Sequence, residues 1–517
     1  MPGTQGFVRR IELPVPALGN NIADVERLKA VLKKELATDR VVVPLGVAKT
    51  LPGRLRGFNH RLKTVLFREA VGWRVVSVED PDGSEPICGI ALDIGTTRVV
   101  ARLMDLETGK TLGESGFDNP QIRIAPDVLA RIHHAKDAQG LEELRSSIIE
   151  SVNAKTRELC EGAGLGLESV YIMACAGNTA MTHLFLGIDP SYIIREPYIP
   201  GVNVPDPMDA VSIGIRLNPN ARVFLFPNIG SYFGGDLIAG ILCAGIHQRE
   251  APSIMVDVGT NAEVVLGTRD WLIACAGAAG PALEGGMSKM GMTAGPGVID
   301  RVVIDPETCK IEVHTIEEKP AMGICGSGMI DLAAQLFLSG MVDIRGKFSK
   351  DRCGDRLVIT EGIDTFELVP AHDSGTGQPI ALSQVDLNSL TSSKAAMHSI
   401  LEVIVQQTAG IRFDDLERFY VAGTFGSFID PRSAISIGML PDIPLEKFQV
   451  LGNSSLEGSA KLLLDPDLFD EIDAIRENLT YVELNVNQEF MNIFSGAKFY
   501  PHTEKSRFPS VTIWGQA

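Results

Sequence analysis

Two short stretches place an acid, a glycine and hydroxyls where phosphate chemistry could use them. Residues 88–97 read CGIALDIGTT, and residues 253–263 read SIMVDVGTNAE. In each, an apolar run with β-branched residues ends in Asp-x-Gly-Thr and a small polar residue. The run predicts a strand, and the Gly-Thr pair a tight turn into a second strand, at 98–103 or 264–266. Gly95 or Gly259 would let the backbone approach an anion closely, while the hydroxyls of Thr96, Thr97 and Thr260, the Asn261 side chain and exposed N–H groups hold phosphate oxygens. Asp93 and Asp257, at the strand ends, are candidates to hold a hydrated Mg²⁺, which needs only one or two protein carboxylates. One such turn is weak, because Asp-Ile-Gly occurs in many hairpins. Two copies imply a duplicated βββα unit clamping one nucleotide from both sides.

Further turns with suitable chemistry lie between and after these copies. An apolar strand at 170–175 runs into Ala-Gly-Asn-Thr-Ala-Met, where Gly177 and Asn178 could offer N–H groups to a ligand; a plain helix cap is an equally good reading. Residues 228–236 read NIGSYFGGD before an apolar helix. Asp236 there could orient or deprotonate a water, or could simply complement a helix N-terminus. The loop at 276–286, AGAAGPALEGG, contains Gly280, and GICGSG at 323–328 contains Gly326 ahead of a helix at 329–338. Each suits close approach by a ligand, and each taken singly reads as well as a turn that needs glycine. Lys394, on the longest helical pattern (384–408), could touch adenosine or phosphate, though a solvated helix lysine is the simpler expectation. FYVAGTFG at 419–426 predicts strand, glycine turn and helix, with Gly423 and Gly426 letting adenine and ribose lie against the backbone. The small residues opening the helix at 233–243 would let it cross closely against a second helix, and its counterpart is the helix after Gly452-Asn453, running to 464.

The elements that must position these residues need a long chain, and 517 residues suffice for two to four domains. Hydrophobic residues at 45% and charged residues at 22% are ordinary for a globular protein. A net charge of −18 argues against nucleic acid as a partner. No signal segment or long apolar run is seen, so the expectation is a cytoplasmic protein that does not span a membrane. The eight cysteines are scattered without Cys-x-x-Cys, so no iron–sulfur cluster is expected within this chain, and the thiols read as buried. A cluster shared across a dimer interface is a minor alternative. Residues 1–86 predict a small α/β module, with strands at 7–15, 40–44 and 72–78 and a helix at 21–36. Its basic run at 54–63 reads as a solvated face or as a dock for an acidic partner. The last dozen residues show no pattern and read as a loose terminus.

Taken in order, Asp-Ile-Gly-Thr-Thr, Gly-Asn-Thr-Ala-Met, Pro-Asn-Ile-Gly-x-x-x-Gly-Gly-Asp, Asp-Val-Gly-Thr-Asn-x-Glu, Ala-Ala-Gly-Pro-Ala-x-Glu-Gly, Gly-Ile-Cys-Gly-Ser-Gly and Ala-Gly-x-Phe-Gly resemble one family. It is the ATP-dependent reductive activators of corrinoid proteins, within the acetate and sugar kinase/Hsp70/actin (ASKHA) superfamily. The resemblance implies an α/β fold: two actin-like, RNase H-like lobes at 87–246 and 247–517, preceded by a linker/middle module at 1–86, with ATP in the cleft. It implies that ATP binding and hydrolysis drive reduction of inactive Co(II) to Co(I) on a methyltransferase corrinoid protein. Carried over by position, Asp93, Gly95, Thr96 and Thr97 form one phosphate loop and Asp257, Gly259, Thr260 and Asn261 the other. Asp236 and Glu263 are the candidates for positioning Mg²⁺ or the attacking water, and Gly423 and Gly426 lie near adenosine. Family members usually carry an iron–sulfur domain, and this chain shows no cysteine spacing for one. The expectation is therefore a separate ferredoxin-type donor, or a truncated start. A homodimer is compatible with all of this. The competing expectations are a small-molecule kinase of the same superfamily and a non-catalytic, nucleotide-gated binding protein.

Overall fold

In the computed structural model, residues 6–259, 262–277, 290–292, 294–423, 429–484 and 488–515 are described. The leading module comprises β1 (Val8–Glu12), α1 (Asp24–Glu35), β2 (Val41–Val42), α2 (Leu45–Gly57), β3 (Arg61–Arg68) and β4 (Trp73–Glu79). Its sheet has the order β1-β3-β4-β2, and both helices lay leucines on it, Leu28 and Leu32 from α1 and Leu51 and Leu55 from α2. α2 went unread in the sequence because Pro52, Gly53 and Gly57 look like breakers, yet Val47, Leu51 and Leu55 recur every four residues and are buried. The basic run lies mostly on a solvated face, with Arg56 and Arg61 exposed, and of its arginines and lysines only Lys63 is buried. Arg54 pairs with Glu79 (3.1 Å), Arg56 with Asp24 (2.8 Å), Arg61 with Asp82, and buried Lys63 with Glu107 (3.1 Å).

Contacts divide the chain into two compact units, Met1–Cys243 with Ser454–Glu477, and Ala244–Asn453 with Asn478–Ala517. In the first, β5 (Cys88–Ile94), β6 (Arg98–Asp105) and β7 (Thr111–Asp118) form an antiparallel meander. Helices α3 (Val128–His134) and α4 (Ala138–Gly162) follow, then β8 (Val170–Gly177), α5 (Thr179–Leu186), β9 (Met208–Asp209), β10 (Arg222–Leu225) and α6 (Gly235–Ala244). The sheet order is β7-β6-β5-β8-β10-β9, with β8 parallel to both β5 and β10. Strand alternation splits β5 into two faces. Cys88, Ile90, Leu92 and Ile94 join the core made with Leu144, Ile148 and Val152 of α4 and Leu184 and Phe185 of α5. Gly89, Ala91 and Asp93 face the other way, where the helix Ser454–Leu464 packs on β5, β6 and β8.

The module belongs to this first unit. Phe7 and Phe67 stack with centroids 6.0 Å apart, and both meet Phe469 edge-on, as does Phe224 of β10. Arg222 bridges from β10 to Glu69 at 2.9 Å, and the Tyr171 hydroxyl donates to Glu79 at 3.1 Å. Module, sheet and the helix Leu468–Asn478 thus share one aromatic core.

The second unit repeats the plan. β11 (Ser253–Val258), β12 (Ala262–Gly267) and β13 (Leu272–Gly277) form the meander, and β20 (Arg418–Ala422) runs parallel to β11 and to β21 (Phe448–Gly452). The order is β21-β20-β11-β12-β13-β22, with β22 (Leu479–Tyr481) on the outer edge. Between meander and β20 the chain adds two small sheets, β14 (Val298–Ile304), β15 (Ile311–Thr315) and β16 (Gly323–Ile324), then β17 (Leu357–Thr360), β18 (Ile363–Val369) and β19 (Ile380–Ser383). The helices are α7 (Gly326–Leu338), α8 (Lys350–Cys353) and α9 (Gln384–Glu402), the last prolonged by a π-turn over Val403–Thr408. The Ser383 hydroxyl and the Asp386 carboxylate cap α9 reciprocally.

Two expectations are corrected on α9. Lys394 is neither solvated nor a ligand contact: it is fully buried, and its Nζ donates to the carbonyls of Phe499 (2.5 Å) and Pro501 (2.8 Å). Burial pushes this amine far below its ordinary pKa. The C-terminus is not loose either, since Phe508 is buried, Trp514 N–H donates to the Leu338 carbonyl at 2.9 Å, and the Arg352 guanidinium lies 3.9 Å from the Trp514 ring centroid.

One turn along α9, His398 faces His502, with centroids 5.3 Å apart, beside Glu402, which pairs with Arg507 at 2.7 Å. Burial, together with His398, Arg507 and Lys394, pushes His502 down to about 4, and burial lowers His398 as well. Both rings therefore fold neutral, so their stabilisation is complete above the unfolded value near 6.5 and is lost as pH falls toward 4. Glu402, held at about 2 against burial by neighbouring His398 and by its ion pair with Arg507, loses its contribution only below that window. Denaturant titrations should show stability falling between pH 6.5 and 4 as His502 takes up a proton. His502→Asn should flatten that part of the profile; an unchanged slope would contradict the buried neutral histidine.

Candidate functional site

In the first unit the predicted residues gather at one end of the sheet. Asp93 closes β5 in register with Ala176 of β8, and Ile94 lies beside Gly177, so the Gly95–Thr97 turn and the β8-to-α5 turn are neighbours. A Cβ on Gly95 would sit 2.4 Å from the Arg98 carbonyl, so the tight turn requires glycine. Asn178 caps α5 by accepting from Met181 N–H at 2.9 Å, and its Nδ2 donates to Thr96 Oγ1 at 3.0 Å. Capping and turn-holding are thus done by one side chain. Asn119, missed in the sequence, grips the turn from outside: its Nδ2 donates to the Gly95 carbonyl (2.8 Å) and its N–H to the Thr97 carbonyl (2.8 Å). Its signal was the Asn-Pro pair opening a short turn. The half-buried Asp93 carboxylate accepts at Oδ1 from Ser455 Oγ, 2.8 Å away.

Asp236 reaches the same region through the glycines before it. A Cβ on Gly234 would lie 2.4 Å from both Asn178 Cα and Asp236 Oδ1, and 2.9 Å from the Gly177 carbonyl. The chain therefore brings Gly177, Asn178, Gly234 and Asp236 together by close backbone approach. Asp236 Oδ1 accepts from Leu237 N–H at 2.9 Å at the opening of α6. Asn228 accepts from Gly235 N–H at 3.0 Å, and its buried Nδ2 has no hydrogen-bond partner.

In the second unit Asp257 closes β11 and pairs directly with Glu263 of β12, placing two carboxylates side by side. Like charges directly opposite on a sheet are costly unless a cation or donors compensate. The first unit differs, because the partner opposite Asp93 is Val100. Gly423 follows β20 with φ +88°, and a Cβ there would fall 2.6 Å from Asp257 Oδ1 and 2.7 Å from the Val258 carbonyl. The Asp257 carboxylate thus lies against the Gly423 backbone. Gly259 is half-buried at the turn, and Gly326 opens α7 behind Cys325, whose Sγ lies 3.1 Å from Ser327 Oγ. Thr260, Asn261, Gly280 and Gly426 lie outside the described residues.

Within each unit by itself, these residues have the chemistry to hold part of a Mg²⁺–nucleotide. Gly234 and Gly423 leave no room for a side chain beside a carboxylate, the Asn228 amide nitrogen is buried without a partner, and the carboxylates are the hard oxygen donors that Mg²⁺ takes one or two at a time. Among the described residues no group of three or more His, Cys, Asp or Glu is arranged to hold a metal ion unaided. All eight cysteines are free, and burial pushes Cys88 up to about 12 and Cys160 and Cys353 up to about 11.

Three family models cover most of the chain: the RACo linker region over residues 7–85, the RACo middle region over 88–249, and the C-terminal domain of RACo, the ASKHA domain, over 251–512. A corrinoid activation enzyme, RamQ, of Eubacterium limosum is 30% identical over 432 residues, covering 82% of this chain and 72% of that one. A [Co(II) methylated amine-specific corrinoid protein] reductase of Methanosarcina barkeri is 25% identical over 444 residues, covering 78% and 76%. A solved reductive activator for corrinoid, iron–sulfur protein superposes with a TM-score of 0.88 at 36% identity, over 98% of this chain and 81% of that one. The chain belongs to the RACo family and carries its linker, middle and C-terminal ASKHA regions in that order.

Proposed function

We propose that this protein is an ATPase that activates a corrinoid protein, coupling ATP binding and hydrolysis to reduction of inactive Co(II) to Co(I). The electron comes from a separate iron–sulfur donor of the ferredoxin type: one electron leaves the donor, one arrives on cobalt, and ATP and water become ADP and phosphate. The observation that carries the reading is the matched placement of Asp93 and Asp257, each one residue before the end of the first meander strand of the same sheet plan, in a chain matched over 98% of its length by a reductive activator.

In this reading Thr96, Thr97 and the N–H groups of the first turn bind phosphate, with Asn119 and Asn178 holding that turn in shape. Asp93 and Asp257 orient the hydrated ion; bound Mg²⁺ supplies neutralisation of the phosphate charge. Gly259, Thr260 and Asn261 do for the second turn what Gly95, Thr96 and Thr97 do for the first. Asp236 or Glu263 accepts from the attacking water, and Gly177, Gly280 and Gly326 give the backbone access to the ligand. Gly423 and Gly426 give a side-chain-free surface for adenosine. Positioning and electrostatics suffice for such hydrolysis, with no covalent intermediate on the protein. Homodimer formation is part of the proposal only as a compatible arrangement.

ATP hydrolysis by the purified protein should rise when a Co(II) corrinoid protein is added, and Asp93→Asn or Asp257→Asn should lower it about a hundredfold or more. Turnover indifferent to the corrinoid protein, but responsive to an added metabolite, would replace this reading with a small-molecule kinase; nucleotide binding without turnover would replace it with a nucleotide-gated binder. Gly234→Ala forces apart Asn178 and Asp236, and a displacement of this size should cost on the order of a hundredfold in kcat/KM for ATP. Near-normal activity in that variant would remove the first unit's turn from the site.

A further inference from the structure

The carboxylate of Asp93 is held by a residue hundreds of positions away in sequence, and the geometry of that contact is built rather than incidental. On β5 the residues facing the helix Ser454–Leu464 are Gly89, Ala91 and Asp93. The first two are small, so the helix lies close: a Cβ on Gly89 would stand 3.1 Å from Leu463 Cδ2. From Leu463 back to Ser455 the helix rises about 12 Å. From Gly89 to Asp93 the strand advances about 13 Å. Helix and strand thus run antiparallel with matched spans, and a contact at Gly89 delivers Ser455 to Asp93, where Oγ and Oδ1 are 2.8 Å apart.

The helix cannot drift from this position. Glu457 pairs with Arg102 at 2.6 Å, and Arg102 is in turn held by Glu114 at 2.7 Å. Lys461 Nζ donates to the Cys243 carbonyl at 2.8 Å. Gly458 meets α6 so closely that a Cβ would fall 2.1 Å from the Ala239 carbonyl. Ser455 is itself buried, so its hydroxyl has little access to competing water.

We propose that Ser455 is the positioning residue for Asp93: its hydroxyl fixes the rotamer of the carboxylate and presents it for the hydrated Mg²⁺ of the nucleotide. The inference rests on the ATPase reading of Asp93 and adds a residue to it. Ser455 touches neither nucleotide nor reacting atoms; it acts through Asp93. Partners that orient metal-binding carboxylates are worth roughly ten- to a hundredfold in metal affinity.

The test is Mg²⁺ titration of the binding of a fluorescent ATP analogue, by fluorescence and by calorimetry, with wild type, Ser455→Ala, Ser455→Thr, Asp93→Asn and the Ser455→Ala/Asp93→Asn double variant. Ser455→Ala should move the Mg²⁺ midpoint about tenfold upward while leaving analogue binding in EDTA and the melting temperature near wild type. Ser455→Thr, which keeps the hydroxyl, should restore the midpoint. In the Asp93→Asn background, Ser455→Ala should add nothing. A Ser455→Ala midpoint equal to wild type, with Asp93→Asn shifted, would overturn the inference alone. An equal effect of Ser455→Ala with and without Asp93 would overturn it too, as a merely structural loss. If Asp93→Asn itself leaves the Mg²⁺ midpoint unmoved, the reading of Asp93 as a nucleotide-site carboxylate falls, and this inference with it.

Discussion

A carboxylate at the end of a buried strand is a liability in solvent-poor surroundings, and it persists where donors or a cation compensate its charge. Asp93 and Asp257 occupy that position in the two sheets, each one residue before the strand ends. The surrounding sequence follows from what each carboxylate needs on its own face. Beside Asp93, Gly89 and Ala91 keep the strand surface low enough for the helix that brings Ser455. Beside Asp257, Gly423 removes the side chain that would strike its Oδ1, and Glu263 adds a second negative group. The two copies therefore share a backbone plan and differ in the residue opposite the aspartate, Val100 for Asp93 and Glu263 for Asp257.

Positioning of the first turn is spread over residues remote in sequence. Asn119 comes from the turn after β7, Asn178 from the start of α5, and Ser455 from a helix that returns to the first unit after the chain has formed most of the second. The leading module is locked to the same sheet by the Phe7–Phe67–Phe469–Phe224 cluster and by Lys63–Glu107, so it is part of the scaffold rather than an appended arm. Its basic residues are paired with acidic neighbours of the same unit, Lys63 in the interior and Arg56 and Arg61 at the surface.

What the sequence made legible was local. Both meanders, the turn after Asp93, the helix after Gly452 and the order of the seven motifs can be read from apolar runs, turn residues and glycine, because each depends on neighbours within about ten positions. The family followed from that order. Burial of Lys394 could not be read: the carbonyls that accept from it, those of Phe499 and Pro501, lie 105 and 107 positions away. Helix α2 was hidden by its own Pro52, Gly53 and Gly57. Ser455 sits 362 positions from Asp93, so only the folded β5 face reveals the pair. Thr260, Asn261, Gly280 and Gly426 lie outside the described residues and enter only as parts of the proposal.

The central claim is that nucleotide chemistry in this chain moves an electron onto another protein's cobalt. The most direct measurement is the absorbance of Co(I) in a corrinoid protein prepared as Co(II), with a low-potential iron–sulfur donor present and this protein, Mg²⁺ and ATP added in turn. Co(I) should appear only when ATP completes the mixture. Co(I) forming at the same rate and extent without ATP or without this protein, or not forming at all although ATP is hydrolysed, would contradict the account.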